Sequence, residues 1–456
     1  EISECLVGSE MCIRDRCMEG ERKTLTQLSV PICLETLFYM LSGMVDTLML
    51  SSVSDQAVGA VGTANTYIGV FIIMFGVISS GMVAVMSQNI GAGKPGIAYQ
   101  ARQLGLVFNA LTGILMSFIL AAFSGWILKI VSIAPALFEP AETYLKIVGG
   151  ASFLNALIPI FSSYLRVFGY TKHSLIGTVV GNVINIILNS VFLFVFNWGV
   201  MGVAAATVFS KVVNLIIVAA MGAVLIKAKQ SPERAQPRKI LAQIVKIGFP
   251  SAFETALYNV AMTFIVCFMN HMDTDGMNVT ARSYAMQIAN FSYCVGAALA
   301  QANAIMTGWR IGAKKYEECD RGTRKAVIYG LVTATCFSVT FAITGRFIVH
   351  IFTNDIQMIE LVVKLLVVDI FLEFGRVTNL VYGQALKTSG DAIFPVIMGA
   401  IFMYLFAVGG TYFLGIHMGL LAVGAYIAMA GDECARAVGM VLRWKSGKWK
   451  SKSLVE

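Results

Sequence analysis

Long apolar stretches alternate with short polar ones along nearly the whole chain. The apolar segments cover 28–50, 57–89, 103–128, 141–165, 174–197 and 200–226, then 244–270, 279–307, 325–352, 358–385, 392–416 and 419–443. Each has about twenty residues or more, enough for a helix to cross a hydrocarbon core of about 30 Å. The pattern predicts an all-α integral membrane protein with twelve transmembrane helices, six on either side of a polar stretch at 227–246. That stretch carries Pro232, Pro237 and six Lys or Arg against one acid. The expected organisation is an N-terminal six-helix lobe over 18–226, a linker over 227–246, a C-terminal six-helix lobe over 247–443 and a basic tail over 444–456. Residues 1–17, EISECLVGSEMCIRDRC, lack the apolar core of a signal peptide and match nothing downstream. They are expected to be a non-native leader, with Met18 as the natural start.

The second half restates the first. Pro31, Glu35 and Tyr39 return as Pro250, Glu254 and Tyr258; Ile90-Gly91-Ala92 returns as Ile311-Gly312-Ala313. Leu165-Arg166 with Gly169 returns as Leu386-Lys387 with Gly390, so all three matches share a displacement of about 220 positions. Duplication inside a membrane chain points to a transporter.

Basic residues set the expected orientation. Most of the 34 Lys and Arg fall at the N-terminal end, in the even-numbered connections, in the linker and in the tail. The eighth connection alone holds six, from Arg310 to Lys325, whereas the odd-numbered connections around Asp55, Asn197 and Asp273 are nearly bare. Both termini are therefore expected on the cytoplasmic side, with the two six-helix repeats parallel.

Ionisable groups inside a span are costly and by default mark a pathway or coupling site. On the first helix Glu35, Tyr39, Ser42 and Asp46 share one face, which makes both acids candidates for proton or ion coupling and Tyr39 and Ser42 candidates for the substrate wall. Asn182, Asn185 and Asn189 form a stripe on the fifth helix; such amides either coordinate a cation through their carbonyls or pair between helices. Glu254, Tyr258 and Asn259 on the seventh helix echo the first, but Ile265 stands where Asp46 would recur, so the N-terminal half has the stronger claim to the coupling ion. Gln287 and Asn290 on the eighth helix suit a hydrated wall, and Asp369, Glu373 and Arg376 share a face of the tenth. Glu373 and Arg376 are spaced to pair, lowering the cost of both charges. Asp432, Glu433 and Arg436 form a similar cluster on the twelfth.

With 57% hydrophobic and 13% charged residues, the chain lies well outside the soluble norm of about 45–50% and about 25%. The net charge of +8 sits between apolar runs rather than on one face, so it speaks for the membrane and against nucleic acid. Nine cysteines include no Cys-x-x-Cys pair, and the four histidines are scattered at or near connections. A membrane enzyme would need a dense His, Cys or Asp cluster at one interface, and none is visible. Nor is there a Walker loop, which excludes direct drive by a nucleotide. No cofactor or resident metal is expected; the coupling ion is H+ or Na+.

In order along the chain stand Val45-Asp46-Thr47, Gln88-Asn89-Ile90-Gly91-Ala92-Gly93, Gly181-Asn182 with Asn185, and Gly202-Val203-Ala204-Ala205-Ala206-Thr207. Glu373 to Arg376 with Asn379, Ser389-Gly390-Asp391, Asp432-Glu433 with Arg436, and Arg443-Trp444 complete the set. The ordered set resembles the multidrug and toxic compound extrusion (MATE) family over about residues 24–450. The resemblance implies a V-shaped pair of lobes around a central cavity and a monomeric protein. It also implies proton- or sodium-coupled antiport of organic, often cationic, compounds including drugs, by alternating access across the plasma membrane. Carried over residue by residue, it favours Asp46 for coupling. The family often has a second carboxylate on the fifth helix, where this chain has Asn189, leaving Glu35 to substitute or Asp46 to work alone. Rocking of the lobes about a flexible linker is the expected motion. The alternative within this fold is a flippase for a lipid-linked oligosaccharide, which needs a strongly cationic cavity. Here the intramembrane acids outnumber obvious cavity cations such as Arg376, which favours a cationic or neutral substrate.

Overall fold

The computed structural model describes residues 23–130, 133–228, 231–272 and 276–455. The expected leader, Arg14, Arg16, Arg22 and Asp273 lie outside them. Every regular element among the described residues is helical. The first three spans are α1 (Leu25–Ser51), α2 (Asp55–Gly91) and α3 (Pro95–Ala122). Thr24 caps α1 through a capping box with Gln27, and Ser54 caps α2 by accepting from the Ala57 amide. α4 is a broken span: Pro135–Tyr144 and the wider turn Leu145–Gly149 meet Phe153–Val167 at a bend of 43°. α5 (Thr171–Ser190) ends in a wider turn, Val191–Val195, and α6 (Gly199–Leu225) completes the first six. The second six are α7 (Pro237–Asn270), α8 (Met277–Gly312), α9 (Tyr316–Val349), α10 (Ile356–Ser389), α11 (Ile393–Phe402, continued by wider turns to His417) and α12 (Leu421–Lys445).

Eight of these helices are long and apolar enough to cross a membrane on composition alone, and the broken α4 makes a ninth. The other three, α8, α10 and α12, hold Arg282, Asp369, Glu373, Asp432, Glu433 and Arg436, all buried. Their low hydropathy has a packing cause. α10 runs through the middle of the second unit against α8, α9 and α12, and so shows protein rather than lipid to its polar residues.

The duplication survives in backbone detail. The turns after α2 and α4 use left-handed Gly93 and Gly169, and their counterparts Lys314 and Gly390 take the same conformation after α8 and α10. Lys314 does so although a side chain makes that conformation unfavourable. Asn197 and Gly199 before α6 correspond in the same way to Gly419 and Leu421 before α12.

The chain divides into two compact units at Phe249/Pro250, inside α7 rather than within the polar stretch 227–246. That stretch is not a free tether where it is described. The Gln100 side chain on α3 donates to the Ala235 carbonyl at 2.8 Å and accepts from the Ala235 amide at 3.1 Å. The first turns of α7 then lie directly on α2. A Cβ at Gly248 would fall 1.7 Å from the Val77 carbonyl oxygen, and one at Gly81 would fall 2.0 Å from that of Ile244. Only glycine permits this approach, and it fixes the start of α7 to the first unit. In that unit α1 packs along α5, α5 on α6, and α2 on α3 and α4, around Leu50, Ala64, Ile68, Leu120, Leu145 and Val203.

Candidate functional site

The first unit brings Asp46 of α1 to the asparagine stripe of α5. The Asn189 amide donates to the Asp46 carboxylate at 2.6 Å and to the Asn185 side-chain oxygen at 3.3 Å. Asn182 donates to the Phe38 carbonyl at 2.8 Å. The stripe thus lies along the α1–α5 seam, with Asn182 donating to α1 and Asn189 to both α1 and its own helix. Asn189 is fully buried, and its side-chain oxygen has no hydrogen-bond partner.

Glu35 does not reach this cluster. Its carboxylate turns to α4 and α5, 2.7 Å from the Arg166 guanidinium, and accepts from Ser174 at 3.1 Å and Thr178 at 3.3 Å. The shared face predicted for α1 is therefore split: Glu35 is buried, Tyr39 is 64% exposed, and Ser42 and Asp46 are half-buried. In the second unit Glu254 repeats the arrangement, 2.6 Å from the Lys387 ammonium. Glu35 and Glu254, two of the acids named for coupling, are thus each paired with a base, and those bases are the very residues that mark the repeat. Acid and base recur together because each unit uses the pair to hold its first helix to its fourth.

One cation escaped the reading of the sequence. Lys211 lies on α6, half-buried, and interacts electrostatically with Asp46. Tyr144 of α4 is buried in the core of the same unit. The one available signal was a lysine inside the apolar segment 200–226.

The second unit fuses the two acidic clusters seen in the sequence. A Cβ at Gly375 would lie 2.6 Å from the Cys434 amide nitrogen, so α10 and α12 cross with backbones in contact. That closeness lets Arg376 bind Glu373 on its own helix and lie 3.8 Å from Glu433 on α12. Arg436 forks onto Asp432 at 2.6 and 3.0 Å and also meets Glu433 at 3.0 Å. Asn379 donates to Glu433 at 2.9 Å, and Ser292 of α8 donates to Glu373 at 3.3 Å. Asp369 lies within electrostatic reach of Arg376 and Glu373. Four carboxylates thus face two arginines. Arg282 adds a third buried cation nearby on α8, its closest polar contact being the Met262 sulfur at 3.6 Å. Tyr258, Met262, Arg376, Asp432 and Glu433 line a small, partly open cleft. Among the predicted cavity residues Tyr258 and Arg376 reach this cleft, whereas Asn259 and Gln287 are exposed and Asn290 half-buried, outside its lining.

A family model described as MatE matches residues 31–191 and again 250–413, each match falling within one unit. The chain belongs to the MatE family. It is 32% identical over 437 residues to the uncharacterized transporter YisQ of Bacillus subtilis, covering 94% of this chain and 96% of that protein. It is 26% identical to the probable multidrug resistance protein NorM of Thermotoga maritima, covering 95% and 94% respectively. Among solved structures, an outward-facing conformation of a multidrug resistance MATE family transporter of the MOP superfamily aligns with TM-score 0.85 at 18% identity, over 96% of this chain and 98% of that one. A MATE in the straight conformation aligns with TM-score 0.86 at 20% identity, covering 96% and 99%. These structures share the fold: twelve helices in two six-helix lobes. The chain is a multi-pass membrane transporter of the MATE multidrug efflux family.

Proposed function

We propose that the protein is a secondary active antiporter that exports organic cations or neutral amphipathic compounds, drugs among them, in exchange for an inward-moving ion. The observation that carries this reading is Asp46, an intramembrane carboxylate held by the buried Asn189 amide at 2.6 Å on the seam between α1 and α5. A charge so placed is stable only while its partners stay, so neutralising it from outside loosens α1 from α5 and biases the transporter between two states. Alternating access follows, with the plasma membrane as the setting, both termini cytoplasmic, the monomer as the working unit and no part for nucleic acid.

The second unit's cleft supports a cationic or neutral cargo. Arg376 and Arg436 are matched by Glu373, Asp432 and Glu433, so neither guanidinium is left over for a pyrophosphate. Lys211 and Arg282 raise the count of intramembrane cations above what the sequence suggested. A lipid-linked oligosaccharide flippase therefore keeps a place as the outcome that contrary transport data would favour. Cells producing the protein should accumulate less of a fluorescent organic cation than cells without it, by about tenfold at a plasma-membrane potential and pH gradient of normal size. A protonophore plus a sodium ionophore should abolish the difference. Equal accumulation with and without the protein, while it is present in the membrane, rejects the reading.

A further inference from the structure

At one end of the second unit the chain after α12 folds back onto neighbouring helix ends. Left-handed Gly447 stops α12, and Lys448–Lys452 form a single tight turn. Trp449 in that turn is only 1% exposed, so the turn has a built pocket. Its ring stacks on Trp444 at 4.2 Å and 12° and meets Tyr316 of α9 edge-on, and its indole N–H donates to the Trp444 carbonyl at 3.0 Å. Trp444 in turn donates to Asp320 of α9 at 2.8 Å, and Arg443 forks onto Asp391 at 2.7 and 3.2 Å. At left-handed Gly390, just after α10, an added Cβ would collide with the Lys452 carbonyl. Two indoles, an ion pair and a glycine thus fix a segment that the sequence shows only as a basic tail.

That fold leaves Lys445, Lys448, Lys450 and Lys452 exposed. Residues 445–455 contain no acid, and among the described residues none of the four lysines is in an ion pair. The acids beneath them are taken: Asp320 by Trp444 and Arg324, Asp391 by Arg443. Glu317 and Glu318 of α9 are exposed, but Lys314, Lys315, Arg321 and Lys325 stand beside them. A positive patch is left over. Its depth in the membrane follows from α11 and α12. Val438, Leu442 and Lys445 share one face of α12 at i, i+4 and i+7, the first two apolar and exposed. Ile393 and Ile397 are exposed in the same way at the start of α11. In a multi-pass protein such stripes face lipid, so the lysines begin where the lipid-facing surface ends, at the level of the headgroups. We propose that the folded tail is a binding surface for anionic phospholipid headgroups, with Lys445, Lys448, Lys450 and Lys452 as the cations that meet the phosphates. Each lysine near an anionic surface adds attraction, and a fixed turn presents them at less ordering cost than a loose tail. The inference rests on the membrane setting and is independent of the antiport reading.

The test counts the lipids that the purified full-length protein retains from detergent holding equal phosphatidylglycerol and phosphatidylcholine, read by native mass spectrometry. The wild type should retain phosphatidylglycerol in preference. Lys448→Gln, Lys450→Gln and Lys452→Gln together should cut that preference by roughly tenfold, and arginine at the same three positions should keep it. Lys172→Gln, Lys227→Gln and Arg238→Gln together remove the same charge from exposed positions of the first unit and should leave the preference near the wild-type value. Trp449→Ala keeps every lysine but empties the pocket that holds the turn, and should weaken the preference. A wild type without preference overturns the proposal, and so does an equal loss in the first-unit variant. Full preference in Trp449→Ala also overturns it, because loose charges would then suffice. Dye export is scored separately: a wild type that prefers phosphatidylglycerol but exports no dye defeats the antiport reading alone.

Discussion

Cells carrying Asp46→Asn should be as sensitive to a transported drug as cells lacking the protein, while the variant reaches the membrane at the wild-type level. An asparagine at position 46 keeps an oxygen that accepts from the Asn189 amide, but as a neutral acceptor it holds α5 more weakly than the carboxylate, so the variant folds with the seam fixed in its neutralised, loosened state. What goes is the ionisable group. The site no longer distinguishes a bound from an unbound proton, and a ligand with no differential affinity for two states shifts neither. Drug susceptibility together with the amount of protein in isolated membranes checks this prediction. Protection equal to wild type would remove Asp46 from the coupling role.

The largest loss of stability is expected from Arg376→Met. Arg376 bonds Glu373, which is fully buried, and lies 3.8 Å from Glu433 and close to Asp369. Removing one partner of a buried ionic pair leaves uncompensated charge, at about 3–5 kcal/mol. Here the guanidinium serves more than one acid, and Ser292 is the remaining donor to Glu373. The apparent unfolding midpoint in detergent should fall by several degrees. Adding Glu373→Gln should recover part of it, because the double variant no longer strands that carboxylate. A single variant as stable as wild type would show that the α10–α12 network does not hold the second unit together.

Most of the architecture was legible in the sequence, because a helix in lipid must be apolar for its whole crossing and a polar connection must follow. The segment 28–50 became α1 and 200–226 became α6 with ends shifted by a few residues. The repeat was legible too, since Gly169 and Gly390 are tied to a left-handed turn. How the connecting stretch is held was not. Pro237 and the charges before it look like a tether, yet glycines at 81 and 248 bind the start of α7 to α2, a contact between residues far apart in sequence.

The site was visible as residues but not as partnerships. Spacing on one helix found Asp46, Glu373 and Arg376, because periodicity reports what shares a face. It says nothing of what faces that face. So the spacing named Glu35 but not its partner Arg166, 2.7 Å away, and the Glu373–Arg376 pair but not Glu433, 3.8 Å from Arg376 where Gly375 lets α10 and α12 touch. Lys211 was hidden by the apolar run around it.

The central claim is ion-driven export, and reconstitution tests it most directly. Proteoliposomes loaded with a fluorescent organic cation would be given a proton gradient alone, a sodium gradient alone, or neither. The account predicts gradient-driven dye movement in the wild type under the proton gradient, the sodium gradient or both, and background rates with neither. Correctly inserted protein that moves no dye under either gradient would contradict it and turn attention to a lipid-linked cargo.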